Sequence, residues 1–309
     1  MAGLFGSTKT NAEKRADFRA ALNTPELTTL PGAFNPLTAR LIQDIGGFGG
    51  VYVSGAVLAN DLGLPDIGLT TLTEVAQRSG HIARATDLPV LVDADTGFGE
   101  PMSAARTVAA LEDAGLAGCH LEDQVNPKRC GHLDGKEVVP TDLMVRRISA
   151  AVNERRDENF IICARTDAAG IHGIDEAIER AKAYADAGAD MIFTEALYSK
   201  EDFAKFRAAV DIPLLANMTE FGKTELLSAQ EIQDLGYNAV IWPVSTLRVA
   251  MGATEEFLRD MAATGLQSEE WLGRMQHRSR LYELVRYNEY NAFDQAVFTY
   301  SKENYKPTF

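Results

Sequence analysis

The chain has 309 residues, of which 46% are hydrophobic and 24% charged, an ordinary composition for a globular protein. Its net charge of −14 argues against nucleic acid or an anionic membrane as the main partner. The three cysteines form no Cys-x-x-Cys pair, and no apolar run reaches the ~18 residues that span a bilayer. We therefore expect a reduced, cytoplasmic protein that acts on a small molecule.

Eight short apolar runs predict strands that alternate with helices. The predicted strands are Thr29–Phe34, Gly50–Val57, Pro89–Asp95, Gly118–Asp123, Phe160–Thr166, Met191–Ala196, Pro213–Met218 and Ala239–Val244. Amphipathic stretches between them predict helices at Pro101–Ala114, Asp142–Glu154, Asp175–Ala187 and Glu225–Leu235. Gly115, Gly188 and Gly236 end three of these helices, where glycine favours the left-handed cap that turns the chain toward the next strand.

Eight strand–helix units predict an α/β fold of the (β/α)₈ TIM-barrel type. The alternative is a doubly wound open sheet, but no Gly-x-Gly-x-x-Gly motif opens any of the helices. The predicted barrel covers residues 1–265 and is preceded by a short N-terminal helix. Residues 266–309 are predicted to form a C-terminal helical arm, with Ser268 as N-cap and an apolar face from Trp271 to Val285. The sequence leaves open whether this arm packs on its own barrel or on a neighbouring subunit.

Polar side chains close most of the predicted strands. Asp93 and Asp95 are two residues apart, so both carboxylates can face one pocket and bind Mg²⁺ together with water and substrate oxygens. Catalytic groups of such barrels lie at the carboxyl ends of the strands. The other polar residues at these ends are Glu122, Asp123, Arg165, Asp167, Glu195, Asn217, Thr219 and Arg248. Their concentration predicts one shared active site.

The loop after the fourth strand carries an isolated thiol. Cys130 lies among Lys128, Arg129 and His132, and nearby positive charge lowers the pKa of a cysteine. A loop of this length between a strand and a helix is typical of a functional lid. Cys119 and Cys163 lie in apolar runs instead, where simple core packing is expected, and His120 is expected to pack on the fourth strand.

The motifs of this chain resemble those of the isocitrate lyase and phosphoenolpyruvate mutase superfamily. The segments that carry the resemblance are Tyr52-Val53-Ser54-Gly55-Ala56, Leu62-Gly63-Leu64-Pro65-Asp66, Asp93-Ala94-Asp95-Thr96-Gly97-Phe98-Gly99, His120-Leu121-Glu122-Asp123-Gln124, Lys128-Arg129-Cys130-Gly131-His132, Ala164-Arg165-Thr166-Asp167-Ala168 and Asn217-Met218-Thr219-Glu220-Phe221-Gly222. Within the superfamily the chain is most similar to the 2-methylisocitrate lyases. Isocitrate lyases proper are longer and usually carry lysine where this chain has Arg129.

The resemblance implies an Mg²⁺-dependent lyase, with Mn²⁺ as an alternative metal. It implies retro-Claisen cleavage of (2S,3R)-2-methylisocitrate, a small tricarboxylate, to pyruvate and succinate in the methylcitrate cycle of propionate catabolism. It also implies that the C-terminal arm is exchanged between subunits of a homotetramer built as a dimer of dimers.

The same resemblance assigns roles to individual residues. The implied catalytic residues are Cys130, Tyr52, Lys128, His132 and Glu122. The implied substrate-binding residues are Ser54, Gly55, Ala56, Gly131, Arg165, Glu195, Asn217, Thr219, Arg248 and Arg278. Asp93 and Asp95 match the metal positions, with Asp66 near them. The general base is left open between Tyr52 and a carboxylate near the metal, and so is the preference among 2-methylisocitrate, isocitrate and dimethylmalate.

Other functions on such a scaffold rank below the lyase. A hydrolase or lyase of oxaloacetate or another 2-oxo or 2-hydroxy acid is the first alternative, followed by a phosphonate mutase, and the intact segment from Lys128 to His132 argues against both. A Schiff-base aldolase needs a lysine at a strand end inside the barrel, which none of the predicted strands has. A non-catalytic binding protein needs no thiol beside metal ligands.

We expect Cys130→Ser to fold and to bind substrate while losing most of kcat, because the hydroxyl of serine is a far weaker acid than the thiol. Steady-state kinetics with a separate measurement of substrate binding checks this expectation. Full activity in Cys130→Ser would exclude the thiol as the proton donor.

Overall fold

The computed structural model describes residues 4, 6–129 and 135–298. The chain divides into two compact units. One is Lys9–Leu247, and the other consists of Met1–Thr8 and Arg248–Phe309. No helix among the described residues is long and apolar enough to cross a membrane.

The unit Lys9–Leu247 is built around a closed parallel barrel. Its strands are β1 (Thr28–Pro31), β2 (Val51–Val53), β3 (Val90–Asp93), β4 (Gly118–Glu122), β5 (Ile161–Thr166), β6 (Met191–Thr194), β7 (Leu214–Asn217) and β8 (Ala239–Trp242). Each strand pairs in parallel with its neighbour in the order β1-β8-β7-β6-β5-β4-β3-β2. A parallel bridge between Gly32 and Tyr52 closes the remaining gap, and Ala33 N–H donates to the Tyr52 carbonyl at 2.9 Å. The predicted (β/α)₈ fold is confirmed.

All eight predicted strands are present, and each is shorter than predicted. The largest difference is in β2, predicted as Gly50–Val57 and observed as Val51–Val53. Ser54 is already the N-cap of the next helix, so the apolar residues after it belong to a helix and not to a strand. An unbroken apolar run does not distinguish a buried strand from the buried first turn of a helix.

Helices follow the strands along the chain. Those that begin in the first unit are α1 (Asn11–Leu22), α2 (Pro36–Ile45), α3 (Gly55–Asp61), α4 (Leu72–Arg84), α5 (Pro101–Ala114), α6 (Thr141–Glu154), α7 (Ala169–His172), α8 (Ile174–Asp186), α9 (Lys200–Ala209), α10 (Ala229–Asp234) and α11 (Ser245–Thr264). The three predicted glycines follow α5, α8 and α10 with φ of 91° at Gly115, 100° at Gly188 and 80° at Gly236. The left-handed helix ends are therefore confirmed.

Side-chain alternation along the strands separates two interiors. Residues such as Val92, Cys119 and Ile162 point outward into the core between the strands and the helices, whereas Leu91 and Cys163 point into the barrel. Phe18 and Leu22 of α1 belong to the same cluster as these inward residues, so α1 closes the amino-terminal end of the barrel. At the carboxyl end the inward positions become polar. The buried Cys119 and Cys163 confirm the predicted core packing.

The described part of the second unit contains short helices after α11, namely α12 (Glu269–Arg274), α13 (Arg278–Leu284) and α14 (Tyr287–Phe298). Ser268 caps α12 as predicted, but the single apolar face expected from Trp271 to Val285 is interrupted. Met275 is extended and His277 caps α13, which breaks the helical register. Trp271 is buried, its ring centroid lies 5.3 Å from that of Phe257, and its indole N–H donates to Asp260 at 3.0 Å.

We expect Phe18→Ala to lower the free energy of unfolding by about 3–5 kcal/mol, because Phe18 fills the amino-terminal end of the barrel and is fully buried. Met102→Ala on the exposed face of α5 serves as the control and should change it by less than about 0.5 kcal/mol. Urea unfolding followed by circular dichroism measures both. Equal stability of the two variants would show that α1 does not contribute to the barrel core.

Candidate active site

The carboxyl ends of β3 to β7 bring polar side chains to one rim of the barrel. Asp93 ends β3, Glu122 ends β4 and Asn217 ends β7. Arg165 lies one residue before the end of β5, and Glu195 directly follows β6. Because the strands are parallel, these ends lie at the same edge, and all of these residues except Asn217 are buried.

Asp93 and Asp95 form a pair of carboxylates at this rim. Asp95 N–H donates to Asp93 Oδ1 at 2.9 Å, and Gly55 N–H donates to Asp93 Oδ2 at 3.2 Å. Asp95 has a φ of 47°, a left-handed conformation that aspartate tolerates better than most residues. Burial raises the pKa of Asp93, but the fields of His120, Lys128 and Arg165 outweigh burial and lower it to about 2. Burial and the charge of Asp93 raise the pKa of Asp95 to about 6.

Lys128 is the cation that faces this pair. Its ammonium lies 2.8 Å from Asp95 Oδ1 and 2.5 Å from Asp66 Oδ1, and the side chain is almost fully buried. Burial acts to lower the pKa of Lys128, but Glu122, Asp95 and Asp93 outweigh it and raise the pKa above its usual value. The ammonium therefore stays charged inside the barrel mouth.

Arg165 is surrounded by three carboxylates. Its Nε lies 2.9 Å from Asp167 Oδ2 and 3.3 Å from Glu122 Oε2, and its Nη2 lies 3.1 Å from Glu195 Oε2. The guanidinium also stacks on Phe193 at 4.9 Å from the ring centroid. Neither carboxylate oxygen of Glu122 accepts a hydrogen bond from any residue that the structure describes, and burial raises the pKa of Glu122 well above its usual value.

His120 is a site residue that sequence reasoning missed. It points into the barrel and not toward the helices, with Nε2 2.7 Å from Tyr52 Oη and 3.6 Å from Asp93 Oδ1. Burial lowers the pKa of His120 to about 4, so the imidazole is neutral near pH 7. Burial also raises the pKa of Tyr52 well above 10.0. The alternation of β4 could have revealed this position, because His120 lies two residues before Glu122 and so shares its face.

Lys136 and Asp167 were also missed as functional partners. Lys136 lies 2.9 Å from Asp167 Oδ1, and both side chains are buried. The sequence placed Asp167 at the end of β5 but gave no signal for its ion pair with a lysine 31 residues away.

The site has more buried carboxylates than cations. Within the described part of the first unit, ion pairs join three cations to five carboxylates, and a sixth carboxylate, that of Asp93, lies beside the neutral His120. The carboxylates are Asp66, Asp93, Asp95, Glu122, Asp167 and Glu195, and the cations are Lys128, Lys136 and Arg165. No group of three metal-binding side chains occurs among the described residues. Two carboxylates and a surplus of negative charge nevertheless suit Mg²⁺, which keeps several waters when it binds to proteins.

The remaining predicted residues fall into four groups. Ser54, Gly55 and Ala56 form the start of α3, while Asn217 and Thr219 follow the rim, with Asn217 Nδ2 3.4 Å from both carboxylate oxygens of Glu195. Arg248 and Arg278 belong to the second unit. Cys130, Gly131 and His132 lie outside the described residues.

We expect Gly55→Ala to weaken Mg²⁺ binding roughly 10- to 100-fold, because a Cβ at this position would lie 2.9 Å from Asp93 Oδ2 and 3.2 Å from Asp95 Oδ1. Isothermal titration with Mg²⁺ measures the affinity. Gly273→Ala is the matched control, since its Cβ would meet nothing within 4 Å. Unchanged Mg²⁺ affinity in Gly55→Ala would place the metal away from this carboxylate pair.

Solved structures that resemble this chain contain the same barrel. A structure of 2,3-dimethylmalate lyase is 34% identical, with a TM-score of 0.85 over 94% of this chain and 96% of the other. A structure of oxaloacetate acetylhydrolase with the inhibitor 3,3-difluorooxalacetate is 35% identical, with a TM-score of 0.86 over 94% and 98%. A structure of phosphonopyruvate hydrolase with oxalate and Mg²⁺ is 28% identical, with a TM-score of 0.82 over 93% and 99%.

Curated relatives match over nearly their whole length. A protein of Corynebacterium glutamicum named "Probable 2-methylisocitrate lyase 2" is 77% identical over 309 residues, which is 100% of both chains. A 2-methylisocitrate lyase of Bacillus subtilis is 41% identical over 297 residues, 96% of this chain and 97% of the relative. The family model described as phosphoenolpyruvate phosphomutase matches residues 18–262. These matches confirm the resemblance seen in the motifs, and the chain belongs to the phosphoenolpyruvate phosphomutase family.

Proposed function

We propose that this chain is a metal-dependent carbon–carbon lyase that cleaves (2S,3R)-2-methylisocitrate to pyruvate and succinate. The observation that carries the proposal is the buried Asp93–Asp95 pair facing Lys128 and Arg165 at the barrel mouth. The 77% identity to a relative that carries the lyase name supports the choice of reaction. A tricarboxylate suits this rim because carboxylate oxygens can bind both a divalent cation and the cationic side chains.

Asp93 and Asp95 would hold the metal, Mg²⁺ or Mn²⁺. When bound there, a divalent cation makes the tertiary hydroxyl of the substrate more acidic and neutralises charge on its carboxylate. The surplus of buried carboxylates and the raised pKa of Asp95 support this assignment, because both show a site that lacks positive charge. Asp66 binds the same ammonium as Asp95 and so helps to hold Lys128 beside the pair.

The general base is a carboxylate near the metal in this proposal. Tyr52 was the alternative, but burial raises its pKa and its hydroxyl is held by His120 at 2.7 Å. A buried phenol that stays protonated can orient the substrate oxygen and cannot readily take its proton. Burial raises the pKa of Glu122 and so favours its protonated form, which can donate a hydrogen bond to a substrate carboxylate.

Bond cleavage then follows from the positions of charge. Loss of the hydroxyl proton turns the C–O bond into the carbonyl of pyruvate while the adjacent C–C bond breaks. The electron pair stays on the carbon that becomes part of succinate and is delocalised into its carboxylate. Arg165 stabilises that charge, and the thiol of Cys130 returns a proton to the carbon. His132 and Gly131 support the thiol in this scheme.

The other predicted residues complete the substrate site. Ser54, Gly55 and Ala56 bind through the start of α3, and Glu195, Asn217 and Thr219 contact the substrate hydroxyl and carboxylates. Arg248 and Arg278 supply further positive charge for the tricarboxylate.

We also propose that residues 1–265 form the barrel and that residues 266–309 form a C-terminal helical arm that packs on a neighbouring subunit of a cytoplasmic homotetramer. Many large apolar side chains of this region are exposed in the single chain. They include Leu272, Met275, Tyr282, Val285, Phe293 and Phe298. Apolar area of this kind is typical of a surface that another subunit covers.

We expect purified protein with Mg²⁺ to release pyruvate from 2-methylisocitrate, measured by NADH oxidation with lactate dehydrogenase. EDTA should abolish the signal and added Mg²⁺ should restore it, because the metal acidifies the substrate hydroxyl. Asp93→Asn should lose the activity, whereas Asp142→Asn, an exposed residue of α6, should keep it. Parallel assays supply isocitrate, with glyoxylate as the measured product, or oxaloacetate, with oxalate as the measured product. Oxalate or glyoxylate without pyruvate would reject the proposed substrate.

A further inference from the structure

Gln124 lies two residues after the end of β4, and its backbone is fixed on both sides. It forms an antiparallel bridge with Val138. Val125 N–H donates to the Glu137 carbonyl at 2.8 Å, and Val139 N–H donates to the Asp123 carbonyl at 2.8 Å. This short ladder joins the chain that leaves β4 to the chain that leads into α6. The Gln124 side chain is only 1% exposed, so it projects from a rigid base into the protein.

The amide of Gln124 binds the backbone of Arg129 with both of its polar atoms. Oε1 accepts the Arg129 N–H at 2.8 Å, and Nε2 donates to the Arg129 carbonyl at 2.9 Å. A paired contact of this kind fixes both the position and the orientation of the peptide, as a bridge between strands does. Asn126 adds a third attachment, because its Nδ2 donates to Thr96 Oγ1 at 2.8 Å.

Lys128 lies between these attachments. Its ammonium reaches Asp95 at 2.8 Å and Asp66 at 2.5 Å from a segment that is otherwise partly exposed. A free lysine side chain loses conformational entropy when it is held in one place. Because the Arg129 backbone is already held, the carboxylates of Asp95 and Asp66 need to order only the side chain of Lys128. The same attachment fixes the residue that immediately precedes Cys130 in the sequence.

We infer that Gln124 is a positioning residue of the proposed lyase: its amide holds Arg129 and thereby presents Lys128 to Asp95 and Asp66. The inference rests on the proposed function for its kinetic consequences. Gln124 acts through Arg129 and Lys128, and its polar atoms bind the Arg129 backbone.

Two substitutions separate this role from simple packing. Gln124→Met keeps the length of the side chain and removes both hydrogen bonds, and we expect kcat to fall about 10- to 100-fold. Gln124→Glu keeps the acceptor at every pH but regains the donor only when its carboxyl is protonated. Lowering the pH should therefore raise the kcat of Gln124→Glu relative to wild type, while Gln124→Met shows a constant ratio. Burial favours the protonated form of the introduced carboxyl.

Charged neighbours titrate in the wild type as well. The ratio of the kcat of Gln124→Glu to the wild-type kcat therefore isolates the effect of the introduced carboxyl. Arg129, Lys136 and Glu137 line a cavity of about 230 Å³ beside Gln124, and Asp123 precedes it in the chain. Gln233→Met is the matched control. Its Oε1 also accepts a backbone N–H, that of Leu27 at 3.1 Å, but at the amino-terminal end of the barrel, so this variant should keep the kcat of wild type.

Hydrogen–deuterium exchange of the peptide that contains residues 124–129 gives a readout that does not depend on activity. Exchange should accelerate in Gln124→Met and stay unchanged in Gln233→Met. Three results would each overturn the inference. They are a wild-type kcat in a folded Gln124→Met, a kcat of Gln124→Glu whose ratio to wild type does not change with pH, and unchanged hydrogen–deuterium exchange in Gln124→Met. Wild-type protein that releases no pyruvate would instead reject the proposed function, and the exchange measurement alone would then decide the role of Gln124.

Discussion

The surplus of buried carboxylates at the barrel mouth is the constraint on which the rest of the site depends. Ionised carboxylates removed from water are costly unless cations or hydrogen bonds compensate them. Lys128 and Arg165 compensate part of this charge, and the remainder appears as the raised pKa values of Asp95 and Glu122. In the proposed function, a divalent cation bound at this surplus would reverse the sign of the local field. Affinity for an anionic substrate would then depend on the metal and not on the net charge of −14.

A second network behind the rim fixes the direction of Arg165. Asp123 is fully buried and accepts hydrogen bonds from Thr166 Oγ1 at 2.8 Å, Tyr184 Oη at 2.9 Å and the Asp167 N–H at 2.9 Å. Asp167, held by this backbone bond, in turn binds Arg165 Nε at 2.9 Å. The guanidinium is therefore oriented before any substrate arrives, which is the condition for efficient stabilisation of developing charge. Replacement of any one of these groups would leave a buried charge or donor without its partner.

Sequence patterns predicted the parts of the structure that local rules decide. The eight strands, the glycines after α5, α8 and α10, and the polar strand ends follow from periodicity and from the conformational freedom of glycine. His120 was assigned to ordinary packing because an apolar run hides which face a residue takes, although its spacing from Glu122 held that information. The ion pair between Lys136 and Asp167 depends on how two distant segments meet, and no local pattern encodes such a meeting. The break at Met275 was missed because the apolar spacing continues across a non-helical backbone.

The barrel by itself does not determine which reaction takes place at this rim. Structures of a lyase and of two hydrolases share the fold with this chain, so the reaction must depend on side chains and loops carried by the barrel. The segment after β4 is the natural place for such a difference, because it brings Lys128 to the carboxylate pair and leads directly to Cys130. Its position is set by the amide of Gln124 and by Asn126, neither of which belongs to the carboxylate pair. A change in these attachments would therefore alter the position of the lysine while the barrel and the Asp93–Asp95 pair stay the same.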